Sequence, residues 1–344
     1  MIEINGSIGH GQVLRTVIGL SALTLIPVHV TNIRKTRPRP GILAQHLAAI
    51  KVAGEFTDAK IRGNTIGSTD LEFVPRIHKF ANKTVNIGTA GSIPLLIECL
   101  LPLMTFSDIP IELTIIGGTS GKGSPNIEYI KNVTSPIISL FGVHTQVEII
   151  KQGFYPKGGG IVKVKFFPVH FVKGLRILER GRLFEINGLS VAANISNQIV
   201  QSQINIAKKI LEERTTLSAE ILPSIVKTRS KGNSITLWAK YANTIVGADG
   251  GATSAECVEN LGRITALRLV STINSGAALD RYMSDQIIPI AALAKGTTEL
   301  SVEEFTDHVQ ANILVTEKMI GVKFKVDRNQ NRIAVEGIGF KNQT

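Results

Sequence analysis

Several stretches of the 344-residue sequence carry residue types that hold or transfer phosphate. His308 sits where the pattern predicts a helix start, just after Glu303, Glu304 and Asp307. A helix start presents unpaired backbone N–H groups and the positive end of the helix dipole. An imidazole there can act as a nucleophile or an acid–base group, or it can simply belong to the capping region. Tyr282-Met283-Ser284-Asp285-Gln286 opens another predicted helix. A tyrosine ring stacks on a base, while Asp285 and Gln286 reach sugar or phosphate oxygens. A Tyr282 ring packed on a neighbouring element is the ordinary alternative.

Arg34-Lys35-Thr36-Arg37-Pro38-Arg39 places four cations within six residues, and Gln45 and His46 follow shortly after Pro40-Gly41. Proline keeps such a backbone extended, so the side chains splay. Arginine forks match phosphate oxygens; the competing reading is a solvated basic loop. Gly153-Phe154-Tyr155-Pro156-Lys157-Gly158-Gly159-Gly160 reads equally as a glycine nest for an anion or as a tight bend before a strand over 161–167. Gly117-Gly118-Thr119-Ser120-Gly121-Lys122-Gly123-Ser124 resembles a phosphate loop, but its spacing is not that of a P-loop. No His-Glu-x-x-His or Cys-x-x-Cys occurs among the seven histidines and two cysteines, which excludes the usual zinc motifs. Cys99 and Cys257 read as small buried apolar residues.

The elements that position these residues follow a recurring order. A polar glycine loop (Gly6–Gly11) leads into an apolar helix over about 12–25 and then the strand Val28–Val30. The order recurs at Gly88–Ser92, with a helix to about Met104 and the strand Ile111–Ile115. A third version starts at Thr306 and runs through a helix to about Met319 and a strand over 322–326. Second helices are expected after Pro40-Gly41 and after Pro125, since proline suits a first helical turn. The expected fold is therefore α/β (α+β), with three repeated βαβαββ-type units. Between about 183 and 275 the pattern changes to a polar helix (197–213), a hairpin turning at 241–243 and a long helix (254–273). This predicts a main domain of residues 1–182 and 276–344 with a small inserted α/β domain over 183–275. Net charge is +11 and 43% of residues are hydrophobic, which excludes a disordered chain and suggests a polyanionic partner. No apolar run nears the roughly 20 residues of a membrane span, and the N-terminus carries no signal-peptide pattern. A soluble, cytoplasmic protein is expected, with no membrane partner and no oligomeric state assigned.

Taken together and in order, these segments resemble the RNA 3′-terminal phosphate cyclases. The likeness spans 6–15, 34–46, 88–92, 117–119, the octapeptide, Leu237-Trp238-Ala239, 282–289 and 308–314. The resemblance implies three related α/β units with a smaller insertion. It also implies ATP as co-substrate, a divalent metal (Mg or Mn), and RNA bearing a 3′-phosphate as partner. His308 matches the family's nucleophile, which takes AMP from ATP, passes it to the RNA phosphate and lets the 2′-OH close a 2′,3′-cyclic phosphate. Tyr282 would then stack on adenine, with Pro125 a candidate for the other face. Glu98, Met283, Ser284, Asp285 and Gln286 would line the ATP site. Arg15, Arg34, Arg37 and Gln45 would grip the RNA phosphate or pyrophosphate.

The sequence departs from the family pattern in three places. The first loop is two residues shorter, with His10 where the family carries a metal-associated glutamate, making His10 the candidate metal ligand. Glu98 replaces a frequent glutamine. Gly250-Gly251-Ala252 replaces a more basic stretch. Two rival readings remain: a non-catalytic RNA-binding relative acting in ribosome assembly, which lacks the histidine, and an enolpyruvyl transferase, which shares the repeated-unit architecture.

Overall fold

The computed structural model describes residues 1–9, 11–121, 123–252 and 258–341. Strand β1 (Ile2–Asn5) runs parallel to β2 (Val28–Thr31), and helix α1 (Gly11–Thr24) makes the crossover that a parallel pair requires. Helix α2 (Ala44–Thr57) then leads into the antiparallel pair β3 (Lys60–Arg62) and β4 (Leu71–Val74), giving the order β1-β2-β4-β3. The next segment has β5 (Lys83–Asn86), α3 (Ile93–Thr105) and β6 (Ile111–Gly117). It continues with α4 (Ile127–Tyr129), a π turn (Ile130–Thr134), α5 (Ser135–Leu140), β7 (His144–Lys151) and β8 (Gly160–Phe167). Its order, β5-β6-β8-β7, and its pairing senses match those of the first sheet.

Strand β9 (Arg176–Ile177) starts a third sheet, and the chain then leaves it. Strands β10 (Leu183–Ala193), β11 (Ala219–Val226), β12 (Gly232–Tyr241) and β13 (Ile245–Ala252) form a separate sheet in the order β11-β10-β12-β13. Helices α6 (Asn197–Arg214) and α7 (Val258–Ser275) pack on it around a core of its own that includes Ile186, Ile204, Leu211, Leu237 and Leu269. The chain returns through α8 (Met283–Gln286) and α9 (Ile288–Leu293) to β14 (Lys295–Ser301), which pairs parallel with β9. Helix α10 (Asp307–Ile320), β15 (Phe324–Asp327) and β16 (Arg332–Ile338) complete the order β15-β16-β14-β9.

Two sequence expectations shift here. The helix that begins at Thr306 is not the counterpart of α1 and α3. Those helices precede a parallel strand, whereas α10 follows one and feeds an antiparallel hairpin, as α2 does. Both kinds of helix follow a loop and enter an alternating strand, so periodicity alone does not separate them. Helix α2 also starts at Ala44 and not at Pro40-Gly41. Gly41 has φ +77, and a Cβ there would lie 2.2 Å from the Gly67 carbonyl oxygen. Its N–H donates to the Ile33 oxygen at 2.9 Å, which closes the basic segment into a loop.

Helix α3 is buried on nearly every side, and Glu98 is its one charged residue. A helix apolar all round belongs in the centre, and α1, α2 and α3 pack together there, with α10 against α1. Arg180 fastens the return of the inserted segment. Its buried guanidinium donates to the Thr272 oxygen at 2.6 Å, the Ile273 oxygen at 3.0 Å and the Tyr241 hydroxyl at 3.1 Å. These bonds satisfy carbonyls that the end of α7 leaves unpaired. No helix among the described residues is long and apolar enough to cross a membrane.

Candidate active site

Thr306 caps α10, its hydroxyl accepting the Val309 N–H at 3.2 Å, and His308 is the second residue of the helix. His308, Ala311 and Asn312 share one face at the i, i+3, i+4 spacing. That face meets the first glycine loop and α1. Gly9 has φ +63, and a Cβ on it would lie 2.3 Å from the Ala311 Cβ, so only glycine permits this approach. Buried Asn312 accepts from the Thr16 hydroxyl at 2.7 Å and donates to the Asp285 carbonyl at 2.8 Å. One side chain thus ties the His308 helix to α1 and to the Tyr282–Gln286 segment.

Asp280 fixes that segment from the other side. Its carboxylate accepts the Tyr129 hydroxyl at 2.6 Å and the N–H groups of Gly247, Tyr282 and Met283 at 2.8, 2.9 and 3.0 Å. Tyr282 packs edge-on against Tyr129, with centroids 5.6 Å apart, and leaves part of its ring on a cleft. Met283 and Ser284 are buried, whereas Gln286 is half-buried and accepts from the Thr134 hydroxyl at 3.3 Å. Met283 and Gln286 line a small crevice with Gln12, Arg15 and Glu98.

The charges in this crevice are strained. Arg15 Nε lies 3.8 Å from a Glu98 carboxylate oxygen, too far for a good hydrogen bond. Among the described residues, Arg15 Nε and Glu98 Oε1 have no hydrogen-bond partner, although both are buried. Burial pushes the Glu98 carboxyl up to about 7, and the Arg15 charge only partly opposes it. Asp285 is also raised, first by burial and then by the Glu98 charge. Two carboxyls sharing one guanidinium resist ionising together, and a cationic or hydrogen-bonding ligand would relieve them.

His46 lies on the other side of Arg15. Its Nδ1 accepts the Leu43 N–H at 3.2 Å, so the neutral ring carries its hydrogen on Nε2, which faces Gly11. Burial, helped by the Arg15 and Arg34 charges, lowers it to about 3. An unfolded histidine titrates near 6.5, so the unfolded chain takes up the proton first. The resulting stability is complete above about 6.5 and is lost as pH falls toward 3. Glu98 and Asp249, both raised to about 7, titrate with the opposite sign. They are shared by wild type and variant, so a difference isolates His46. Between pH 7 and 5, wild type is expected to lose about 2 kcal/mol more than His46→Gln in urea unfolding; equal losses would contradict the assignment.

Gln45 reaches the second glycine loop, its Oε1 accepting the Ser92 N–H at 3.1 Å. Both residues line a cleft of about 970 Å³ that also touches Ser120, Asp249, Arg268 and Tyr282. Pro125 is buried just before Asn126, the residue that caps α4, and does not line this cleft. Arg34 holds a left-handed backbone (φ 52) and donates to the Gly41 oxygen at 2.8 Å, while Arg37 stands exposed on the same loop.

The octapeptide is a bend and not an anion nest. Its Gly153, Lys157 and Gly158 N–H groups donate to the Thr119 hydroxyl, the Ser230 hydroxyl and the Phe154 oxygen. Cys99 is buried; Cys257, Lys122 and His10 lie outside the described residues. Among the described residues, no three His, Cys, Asp or Glu side chains converge as a metal centre requires.

Arg15, Glu98, Met283 and Gln286 thus share one crevice, and Asn312 ties the helix that carries His308 to α1 and to Asp285; His308 itself lines neither this crevice nor the neighbouring cleft. Sequence reasoning did not single out Asn312, Asp280, Asp249 or His46 as functional. Asn312 was within reach, being one turn after His308 on the same predicted helix. The profile of the RNA 3′-terminal phosphate cyclase family matches residues 7–326. The chain belongs to that family. Similar proteins named RNA 3′-terminal phosphate cyclase come from several archaea. That of Methanococcoides burtonii is 38% identical, covering 97% of this chain and 99% of its own length. Those of Thermococcus kodakarensis and Pyrobaculum aerophilum are 37% and 34% identical, covering 95% and 98% of this chain and 94% and 99% of their own. An EPSP synthase structure from Acinetobacter baumannii superposes with a TM-score of 0.31 at 12% identity, covering 99% of this chain and 83% of that one. That superposition is too loose to define a shared fold.

Proposed function

We propose that the protein converts an RNA 3′-terminal phosphate into a 2′,3′-cyclic phosphate at the expense of ATP, with His308 as nucleophile. The observation that carries this reading is the Asn312 link. It holds the helix that carries His308 in its first turn against Asp285, within the segment read as the nucleotide site.

In the first step an imidazole nitrogen of His308 attacks the α-phosphorus of ATP. The P–N bond forms, the bond to the β-phosphate oxygen breaks, and pyrophosphate leaves. An oxygen of the RNA 3′-phosphate then attacks the same phosphorus, breaking the P–N bond and returning the imidazole. The RNA now ends in a phosphoanhydride to AMP. Its neighbouring 2′-oxygen attacks the 3′-phosphorus, loses its proton to solvent or a base, and expels AMP. A phosphate monoester alone is a poor electrophile; attached AMP supplies the leaving group, and the 2′-OH gains from proximity. Tyr282 stacks on the adenine, and Arg15, with Glu98 and Asp285 about it, faces the triphosphate side. Glu98 and Asp285 would be the acids available to a magnesium or manganese ion bound with ATP, which would neutralise phosphate charge, and His10, outside the described residues, is the ligand candidate that the sequence offers. Residues 1–182 and 276–344 form the catalytic body in this reading, with 183–275 as an inserted unit.

The test is conversion of a 3′-phosphorylated oligoribonucleotide, with ATP and Mg or Mn, into an end that phosphatase cannot remove. Binding of the RNA without conversion in either metal would favour the non-catalytic, RNA-binding reading. Arg37 is exposed on the closed basic loop and is assigned to the RNA phosphate. Arg37→Ala is expected to slow cyclisation at least about tenfold, the loss of one charge-assisted contact, and to leave enzyme adenylylation unchanged. Equal loss of both steps would place Arg37 at the ATP phosphates instead.

A further inference from the structure

The octapeptide leaves two side chains without a structural task. Phe154 is buried against Gly232, Val191 and Ala193 and clamps the bend to the inserted sheet. Gly158 abuts the Thr89 and Ala90 backbone, where a Cβ would lie 2.8–2.9 Å away. Tyr155, by contrast, is 66% exposed, the most exposed large hydrophobic residue in the described chain, and lines the same cleft as Tyr282. Lys157 is exposed two residues later. Arg229 covers Gly159, where a Cβ would lie 3.4 Å from the Arg229 Cδ. Exposed Lys227 and Lys231 flank it on the strand-to-strand turn.

Phe154 and Gly158 fix the bend on either side of Tyr155, so its ring is held outward on an anchored backbone. Here the ring lines the cleft that Tyr282 also lines, and the bend that carries it holds exposed Lys157 and lies under Arg229 at Gly159. That combination matches how proteins hold single-stranded nucleic acid, with a flat ring stacking a base of any identity and cations following the phosphates. We propose that Tyr155, with Lys157 and the Lys227–Lys231 turn, is a stacking platform for the RNA strand upstream of the reacting 3′ end. The identity of this ligand rests on the RNA reading given above. Gly250 and Gly251 of the insertion line the same cleft without charge, and the cations of the platform come from another turn of that insertion.

The experiment uses the full-length protein and a fluorescent oligoribonucleotide ending in a 3′-phosphate, read by anisotropy across a salt series. Tyr155→Ala is expected to weaken binding about 5- to 150-fold, the range for one lost base stack, and Tyr155→Phe to restore it. Lys157→Ala is expected to reduce the slope of log affinity against log salt by about 0.7, one phosphate contact on a single strand. RNA-independent adenylylation, and turnover of a mononucleoside 3′-phosphate, which has no upstream base to stack, should match wild type in all three. Wild-type affinity in Tyr155→Ala would overturn the platform, as would a defect that phenylalanine does not repair. A wild-type protein that binds RNA through Tyr155 but never carries AMP would leave the platform standing and remove the catalytic reading alone.

Discussion

Changing His308 to alanine is expected to abolish cyclisation, by at least about 10⁴-fold, while the protein stays folded. The large factor follows from covalent catalysis: without the nucleophile the first P–N bond never forms, and no later step can compensate. The small structural effect follows from position. His308 is half-buried in the first turn of α10, and the cap beside it is made by Thr306 and Val309, not by the imidazole. Unfolding free energies of wild type and variant from urea titrations should differ by no more than about 1 kcal/mol. A variant that retains even a tenth of the cyclisation rate would remove His308 from the chemistry.

The largest stability effect is expected at Asp280. Its one carboxylate accepts from the Tyr129 hydroxyl and from the N–H groups of Gly247, Tyr282 and Met283. These donors belong to α4, the inserted sheet and the start of α8 with its cap residue Tyr282. Alanine leaves four buried donors without an acceptor. A cost of about 3–5 kcal/mol is expected, as for the loss of one partner from a buried charged network. Asparagine keeps one acceptor oxygen and should fall between. Burial raises the Asp280 carboxyl, so the four donors are what make its charged form tolerable there. Because Tyr282 and Met283 hang from the same carboxylate, Asp280→Ala should also weaken ATP binding beyond its effect on folding. A variant with wild-type stability would show that the network is dispensable.

Much of this architecture was legible in the chain. The alternation in Ile111–Ile115, 161–167 and the Trp238 hairpin predicts strands where β6, β8, β12 and β13 stand. Pro125 forecasts the start of α4, and the expected helix over 197–213 is α6 almost residue for residue. Strand β10 was hidden, because Asn187 and Gly188 break its apolar pattern and its pairing partners lie far along the chain. Two-residue β9 carries no periodic signal at all. The third unit was read out of phase because its first helix, α8 and α9, is short and split, while α10 has the longer apolar face.

The site divides in the same way. His308, Tyr282 and the arginines announce themselves by residue type beside a helix start or a stiff loop. The residues that hold them in place do not. Tyr129 and Asp280 are 151 positions apart, and Thr16 and Asn312 are 296 apart. No local pattern pairs residues at such distances. His46 looks like an ordinary helical residue until Arg15 and Arg34 are seen beside its buried ring. The octapeptide was evenly balanced between two readings until its N–H groups were traced to acceptors within the fold.

Everything proposed for the reaction depends on transfer of AMP from ATP to His308. Its most direct test is incubation of the pure protein with α-labelled ATP and Mg or Mn, followed by denaturing electrophoresis. The expected product is a labelled protein whose adduct is acid-labile and alkali-stable, as a P–N bond is. The label should be absent from His308→Ala and discharged by RNA with a 3′-phosphate but not by RNA with a 3′-hydroxyl. A label that persists in His308→Ala, or no label in wild type with either metal, would contradict it.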